Sequence, residues 1–198
     1  MFEIVCVTHR ALCGEAFLTR IDKIADVVDG VILREKDLQE SEYERLAADV
    51  LSVCARHETP CALHTFAGAA ARLHARAIHL SLYDRLSLGK GALSAFSRVG
   101  VSCHSLSDVL AAQKGASYVT VGHIFATDCK RGLPGRGLSF LREICRHAEV
   151  PVYAIGGIGK NNIAAVRDAG ASGACIMSGL MTCGDPAAYV EELRDALR

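Results

Sequence analysis

The stretch YVTVGHIFATDCKRGLPGRGLSFLREICRHAEVPVYAIGG, Tyr118–Gly157, decides the fold. It begins in strict alternation: Val119 and Val121 fall on one face, Tyr118, Thr120 and Gly122 on the other, the period of a β-strand. Leu138, Leu141, Ile144 and Cys145 then recur at three-to-four spacing, which predicts an amphipathic helix over Leu138–His147. A second β-branched run follows at Val152–Gly156. A strand, a helix and a second strand in this order form a parallel crossover unit, its helix covering one face of the pair. The first strand ends on a histidine, His123. The loop that follows, Ala126–Gly137, carries Gly132, Gly135, Gly137 and Pro134 beside Lys130, Arg131 and Arg136.

The same unit repeats along the chain. Further strands are expected at Glu3–Thr8, Gly30–Arg34, Cys61–Thr65, Ala77–Ser81, Gly100–His104 and Gly173–Met177, with Tyr118–His123 completing the set. Tyr43, Leu46, Ala47, Val50, Leu51 and Cys54 predict a helix over Tyr43–Arg56, and Ser41 with Glu44 reads as its capping box. Ser107 precedes another helix, while Gly115 and Gly170 suit the residue just past a helix end. Eight such repeats predict an α/β fold, a (β/α)8 TIM barrel, with a doubly wound open sheet as the alternative. No linker or low-complexity run divides residues 1–198, so one domain is expected.

Bulk properties exclude several function classes. Lys and Arg total 22 and so do Asp and Glu; the formal charge of zero argues against a nucleic-acid partner. No 18-residue apolar run exists to span a membrane, and no secretory leader precedes the first strand, so a soluble cytoplasmic protein is expected. The nine cysteines form no C-x-x-C pair; Cys6, Cys61, Cys103 and Cys175 read as small core residues. Cys129, in the polar loop, does not fit that reading.

A barrel carries its chemistry at the C-terminal ends of its strands. His9, His64, His104 and His123 fall there, as do Arg34, Glu35 and Lys36. Gly156–Gly157 and Met177–Ser178–Gly179 end the last two strands, where backbone N–H groups commonly hold a phosphate, and Asn161 or Asn162 can cap the next helix. The same glycines would also serve plain tight turns. Arg34 and Lys36 suit an anionic substrate, Arg by bidentate contact, although strand-end charges are also often only solvated. Histidine exchanges protons near neutrality, so His123 is the candidate acid–base residue, under a loop suited to act as a lid. No H-x-H follows the first strand, no H-E-x-x-H occurs and no aspartate closes the last strand, so no catalytic metal is expected.

Taken together, LREKDL, GVSCHS, YVTVGHIFATDCKRG, PVYAIGGI and GACIMSG resemble thiamin phosphate synthase and its sister family, the TenI-like thiazole tautomerases. The resemblance runs from the first strand to Ser178. It implies a (β/α)8 barrel and a small thiazole phosphate as ligand, and allows an assembly of several copies through the barrel helices. The synthase, which needs Mg2+, carries an Asn-Asp-Arg-type sequence after the third strand and an aspartate after the fourth. Here those places read His64–Thr65–Phe66 and HLSLYD with Asp84, so the Mg2+ site lacks its first carboxylate. The Gly122–His123 pair and the TDCK loop are typical of the tautomerases, whose histidine at this place is thought to move the proton. By resemblance His123 is catalytic, Arg34, Lys36, His104, Thr127 and Lys130 contact substrate, and Gly156, Gly157, Met177 and Ser178 hold the phosphate. The activity implied is thiazole tautomerisation without metal or cofactor. A Mg2+-dependent synthase and a non-catalytic ligand sensor are the competing readings.

Overall fold

In a computed structural model of the chain, residues 1–127, 130 and 132–198 are described, the side chain of Lys90 excepted. The expectations attached to Cys129 and Arg131 lie outside the described residues. Among the described residues, eight parallel strands close into a barrel: β1 Glu3–Val7, β2 Gly30–Leu33, β3 Cys61–His64, β4 Ala77–Ser81, β5 Arg98–Cys103, β6 Tyr118–Gly122, β7 Val152–Ile155 and β8 Gly173–Ile176. Each pairs with the next, and β8 returns to β1 through Glu3↔Gly173 to Cys6↔Ile176. The expected barrel is present, and the open sheet is ruled out by that closing pair.

Helices follow the strands: α1 Phe17–Ala25, α2 Glu40–Arg56, α3 Ala67–Arg72, α4 Leu82–Ser87 and α5 Lys90–Leu93, α6 Leu106–Ala112, α7 Gly137–His147, α8 Ile163–Asp168, then α9 Ser178–Thr182 and α10 Pro186–Asp195. Several last only one or two turns, which is how so short a chain completes the circuit. The α2 start differs from expectation. Gln39 and Glu42 make the capping box, each side chain accepting from the other's backbone N–H, and Ser41 lies inside the first turn. Likewise Ser105, not Ser107, caps α6 by accepting from the Asp108 N–H at 3.1 Å.

Most strands stop one residue short of the sequence reading. Arg34, Thr65, His104, His123, Gly156 and Met177 are the first residues past the ladder, where neighbouring strands splay and pairing ends. Conversely, β5 starts two residues early because Arg98 and Val99 pair with Ala77 and Ile78.

Alternation divides the core as the pattern of β6 requires. Val119 and Val121 point outward and pack under the helices with Leu141 and Ile144, all fully buried. Tyr118 points into the barrel, where Val5, Val7, Ile32, Ala62, Ala77, Tyr153 and Cys175 form a second, smaller cluster. At the N-terminal mouth the Tyr153 hydroxyl donates to Glu3 (2.8 Å), Arg98 donates to Tyr153 (3.1 Å), and the Arg98 guanidinium lies 4.9 Å from the Tyr118 ring centroid. These side chains cross the N-terminal mouth of the barrel, and the strand-end histidines and cations stand at the opposite, C-terminal mouth. Cys6, Cys61, Cys103 and Cys175 are buried free thiols, as the sequence suggested.

Candidate active site

The rim at β1 and β2 is organised by a buried carboxylate. Glu35, 1 % exposed, accepts from the Thr8 hydroxyl (2.7 Å), the Arg10 N–H (3.0 Å to each oxygen) and the Arg10 guanidinium (3.3 Å). Thr8 in turn accepts from the Arg34 N–H at 2.9 Å. A buried charge needs this full complement of donors. With Glu35 anchored toward β1, Arg34 and Lys36 are left on either side of it at the open mouth. Burial and the neighbouring charges of Arg34 and Lys130 hold the Lys36 ammonium below the usual lysine range, against an upward pull from Asp84. Arg34 and Lys130, from two separate loops, thus both lie near enough to Lys36 for their charges to be felt there.

Below this rim lies a polar floor that the sequence reading did not assemble. His64 and His79 are paired in register across β3 and β4, with their rings stacked 5.4 Å apart. Both are buried, at 5 % and 2 % exposure. Burial pushes His79 down to about 3, with help from the charge of Lys36. Burial takes His64 to about 2, with His79, Lys36 and Arg34 adding to it. Both imidazoles are therefore neutral at physiological pH. His64 Nδ1 lies 2.5 Å from the Thr65 hydroxyl, and its backbone N–H donates to Tyr43, whose hydroxyl donates on to the Leu33 carbonyl. Tyr43 thus ties β2 to β3 where the two begin to part. His79 Nδ1 is 3.1 Å from the Tyr118 hydroxyl, and its Nε2 is 2.9 Å from Ser102 Oγ and 3.3 Å from Thr120 Oγ1. The available signal was alternation itself: AIHLS, GVSC and YVTVG each place apolar residues outward and a polar one inward.

His123 follows β6 directly, after a cis Gly122–His123 peptide. The backbone around it is pinned on two sides. Ile124 and Phe125 donate to the carbonyls of Ile155 and Gly156 at 3.0 Å, while Arg136 and Gly137 donate back to His123 and Ile124 at 3.0 and 2.9 Å. The loop therefore leaves and returns at the same place. The His123 ring is partly exposed, its Nε2 3.4 Å from the Leu133 carbonyl, too long for a strong bond. His104 Nδ1 sits 3.3 Å from the Gly122 carbonyl, which brings His104 beside His123 at the end of β6.

Gly156 and Gly157 have positive φ, +102° and +65°. A Cβ on Gly156 would come within 2.5 Å of the His123 Cβ, and one on Gly157 would meet the Ala126 carbonyl oxygen and Phe125. These glycines thus admit the His123 segment, a use that the sequence reading did not anticipate. At the adjacent β8 end, Met177 precedes α9 and Ser178 begins it. Among the described residues, the N–H groups of Gly157, Ser178 and Gly179 have no backbone acceptor. Asn162 departs from expectation: its side chain does not cap α8 but turns back, accepting from the Gly159 N–H and donating to the Gly157 carbonyl, both at 2.9 Å. That clasp fixes the β7–α8 turn.

The candidate residues are thus brought to one mouth: Arg34, Lys36 and Lys130 as cations, His104 and His123 at the β6 end, Gly156, Gly157, Met177 and Ser178 across β7 and β8. Thr127 lies in the loop beyond Phe125 and is partly buried. A Mg2+ site of the synthase type finds a poor fit. The β3 end supplies an imidazole, a hydroxyl and a phenyl ring. Asp84 is engaged as an acceptor from the Ser81 hydroxyl (2.6 Å) and is in turn close to Lys36. Among the described residues, no three His, Cys, Asp or Glu side chains gather to hold a metal ion.

A family model described as thiamine monophosphate synthase matches residues 4–180. The thiamine-phosphate synthase of Desulfitobacterium hafniense strain Y51 is 30% identical over 202 residues, covering 100% of this chain and 98% of that protein. The thiamine-phosphate synthase of Synechococcus sp. strain CC9311 is 38% identical over 152 residues, which cover 75% of this chain; the match spans only 43% of that longer protein. Among solved structures, thiamine phosphate pyrophosphorylase from Pyrococcus furiosus superposes with a TM-score of 0.84 at 23% identity, covering 99% of this chain and 95% of that one. At that identity the likeness speaks to the fold.

Proposed function

Since this chain belongs to the thiamine monophosphate synthase family, a family of enzymes, we propose that it works in thiamin biosynthesis as a thiazole tautomerase. Its substrate on this reading is a thiazole carboxylate phosphate in the exocyclic-alkene form, and its product the aromatic isomer. The observation that carries the reading is His123, held by backbone bonds at the end of β6, in a mouth whose β3 end offers His64, Thr65 and Phe66 where the synthase has its first metal-binding carboxylate. The phosphate would sit on the N–H groups of Gly157, Ser178 and Gly179, and the carboxylate beneath Arg34 and Lys36. His123 removes the proton from the saturated ring carbon. The electron pair passes into the ring, and the exocyclic carbon takes up a proton. Aromatisation drives the reaction, so general acid–base help of roughly 10²–10⁴-fold and positioning through the phosphate are what the protein must add. Thr127, Lys130 and His104 are the remaining substrate contacts on this reading.

A second reading has specific support. The relatives are named synthases, and Lys36 with Arg34 and Lys130 near it suits a pyrophosphate. One pair of assays separates the two. Purified protein is given the exocyclic tautomer in EDTA, and aromatic product is followed by absorbance. His123→Ala is expected to lower kcat at least 100-fold. An unaffected variant, or no acceleration by the native protein, refutes the tautomerase. Formation of thiamin phosphate from the pyrimidine pyrophosphate and thiazole phosphate with Mg2+ establishes the synthase.

A further inference from the structure

The buried polar floor has a direction, and the direction has a use. Tyr118 is deeply buried, and burial raises its phenol, so it keeps its proton. That proton needs an acceptor, and among the described residues its hydroxyl has one partner, His79 Nδ1, at 3.1 Å. Tyr118 must therefore donate to Nδ1. Neutral imidazole carries a single N–H, so the His79 proton sits on Nε2, and Nε2 donates to Ser102 Oγ at 2.9 Å. Thr120 Oγ1 lies farther off, 3.3 Å from the same Nε2 and 3.5 Å from Ser102 Oγ. Ser102 Oγ is then an acceptor, and its own O–H has no acceptor among the described residues. Ser102 lies on an inward position of β5, partly buried, one residue before Cys103 ends the strand.

The result is a column of donors, Tyr118 to His79 to Ser102, running from β6 through β4 to a residue next to the C-terminal end of β5. Each bond polarises the next, so the last hydroxyl is a stronger donor than a free serine. The charges of Arg34 and Lys36 are felt at His64, and that of Lys36 also at His79, the middle member of the column. We infer that the Ser102 hydroxyl, oriented by Tyr118 and His79, donates to a carboxylate oxygen of the ligand and makes the pocket select a carboxylated over a carboxylate-free heterocyclic phosphate. This deepens, and rests on, the ligand class proposed above. When the C–H bond beside the carboxylate breaks, negative charge grows on the carboxylate oxygens, so the same donor stabilises the transition state more than the ground state. Ser102 is then a substrate contact, while His79 and Tyr118 are positioning residues.

The test reads binding as well as turnover. Calorimetric affinities are measured for the aromatic thiazole carboxylate phosphate and for thiazole phosphate lacking the carboxylate. The native protein should prefer the carboxylated ligand, and Ser102→Ala should reduce that preference by roughly 10- to 100-fold, the usual worth of a hydrogen bond to a charged group. Ser102→Thr, which keeps the hydroxyl, should restore it. Tyr118→Phe should lose part of the preference, with affinity for the carboxylate-free ligand unchanged, and lower kcat, whereas a merely structural tyrosine would weaken both ligands equally. Native-like circular dichroism is required of each variant, and Ser102→Cys carries the test if the alanine form does not fold. An unchanged preference in Ser102→Ala, or none in the native protein, overturns the inference. A preference that Ser102→Ala abolishes in a protein that does not aromatise the alkene supports the inference and refutes the tautomerase.

Discussion

Replacing Gly156 with alanine tests whether the β7 end exists to make room for His123. The new Cβ would lie 2.5 Å from the His123 Cβ and 2.8 Å from its Cα, where real contacts do not occur, on a backbone at φ +102° that alanine resists. The strained dihedral costs about 1–3 kcal/mol. Relief of the overlap costs about 1–3 kcal/mol more, because His123 is tethered by backbone bonds on both sides and cannot drift freely. For a chain of this size each kcal/mol lowers the melting temperature by about 2–4 °C. A fall of roughly 5–20 °C is therefore expected by differential scanning calorimetry. On the proposed tautomerase reading, an imidazole moved by ~1 Å should lower kcat for aromatisation on the order of 10²-fold. Gly159→Ala is the control, because nothing lies within 4 Å of its added Cβ; it should change stability by less than about 0.5 kcal/mol. A Gly156→Ala protein melting within 2 °C of the parent (~0.5–1 kcal/mol) with unchanged turnover would refute the reasoning.

Three further predictions follow from the same contacts. The folded values of His64 and His79, about 2 and about 3, lie below the unfolded value near ~6.5. As pH falls the unfolded chain takes up protons first, so stability is complete above ~6.5 and declines below it by up to ~2.7 kcal/mol per pH unit for the pair; urea unfolding should show this, with the slope about halved in His79→Gln. Thr8→Val removes a donor from buried Glu35 and the acceptor of the Arg34 N–H, and should cost about 1–3 kcal/mol in urea while raising KM for the anionic substrate. Asn162→Ala frees the β7–α8 turn and should weaken binding of inorganic phosphate by calorimetry, with stability lowered by no more than about 0.5–1.5 kcal/mol.

The barrel was legible because each strand–helix pair announces itself by a change of period, as at Val121 and Leu138. The rim was legible as well, since charged residues at the ends of buried strands stand out from their neighbours. Residues whose effect depends on contacts across strands were not. Glu35 reads as one more surface charge until Thr8 and Arg10, 27 and 25 residues away, are seen around it. His79 reads as an odd polar residue in AIHLS until Tyr118 and Ser102 supply partners from two other strands. The glycines of β7 were legible as special, but their reason was not: the clash that forbids a side chain comes from residues 123–126. Local pattern records the backbone period; it carries no record of which distant atoms arrive next to it.

The loop between β6 and α7 resembles the handle of a cup, both feet set into the same wall by four backbone bonds. Such an attachment separates two properties that a single loop usually couples. The chain between the feet can be lengthened, shortened or recoded while the feet keep His123 at the end of β6. Descendants of this barrel can therefore edit that stretch without disturbing the strand end from which His123 projects.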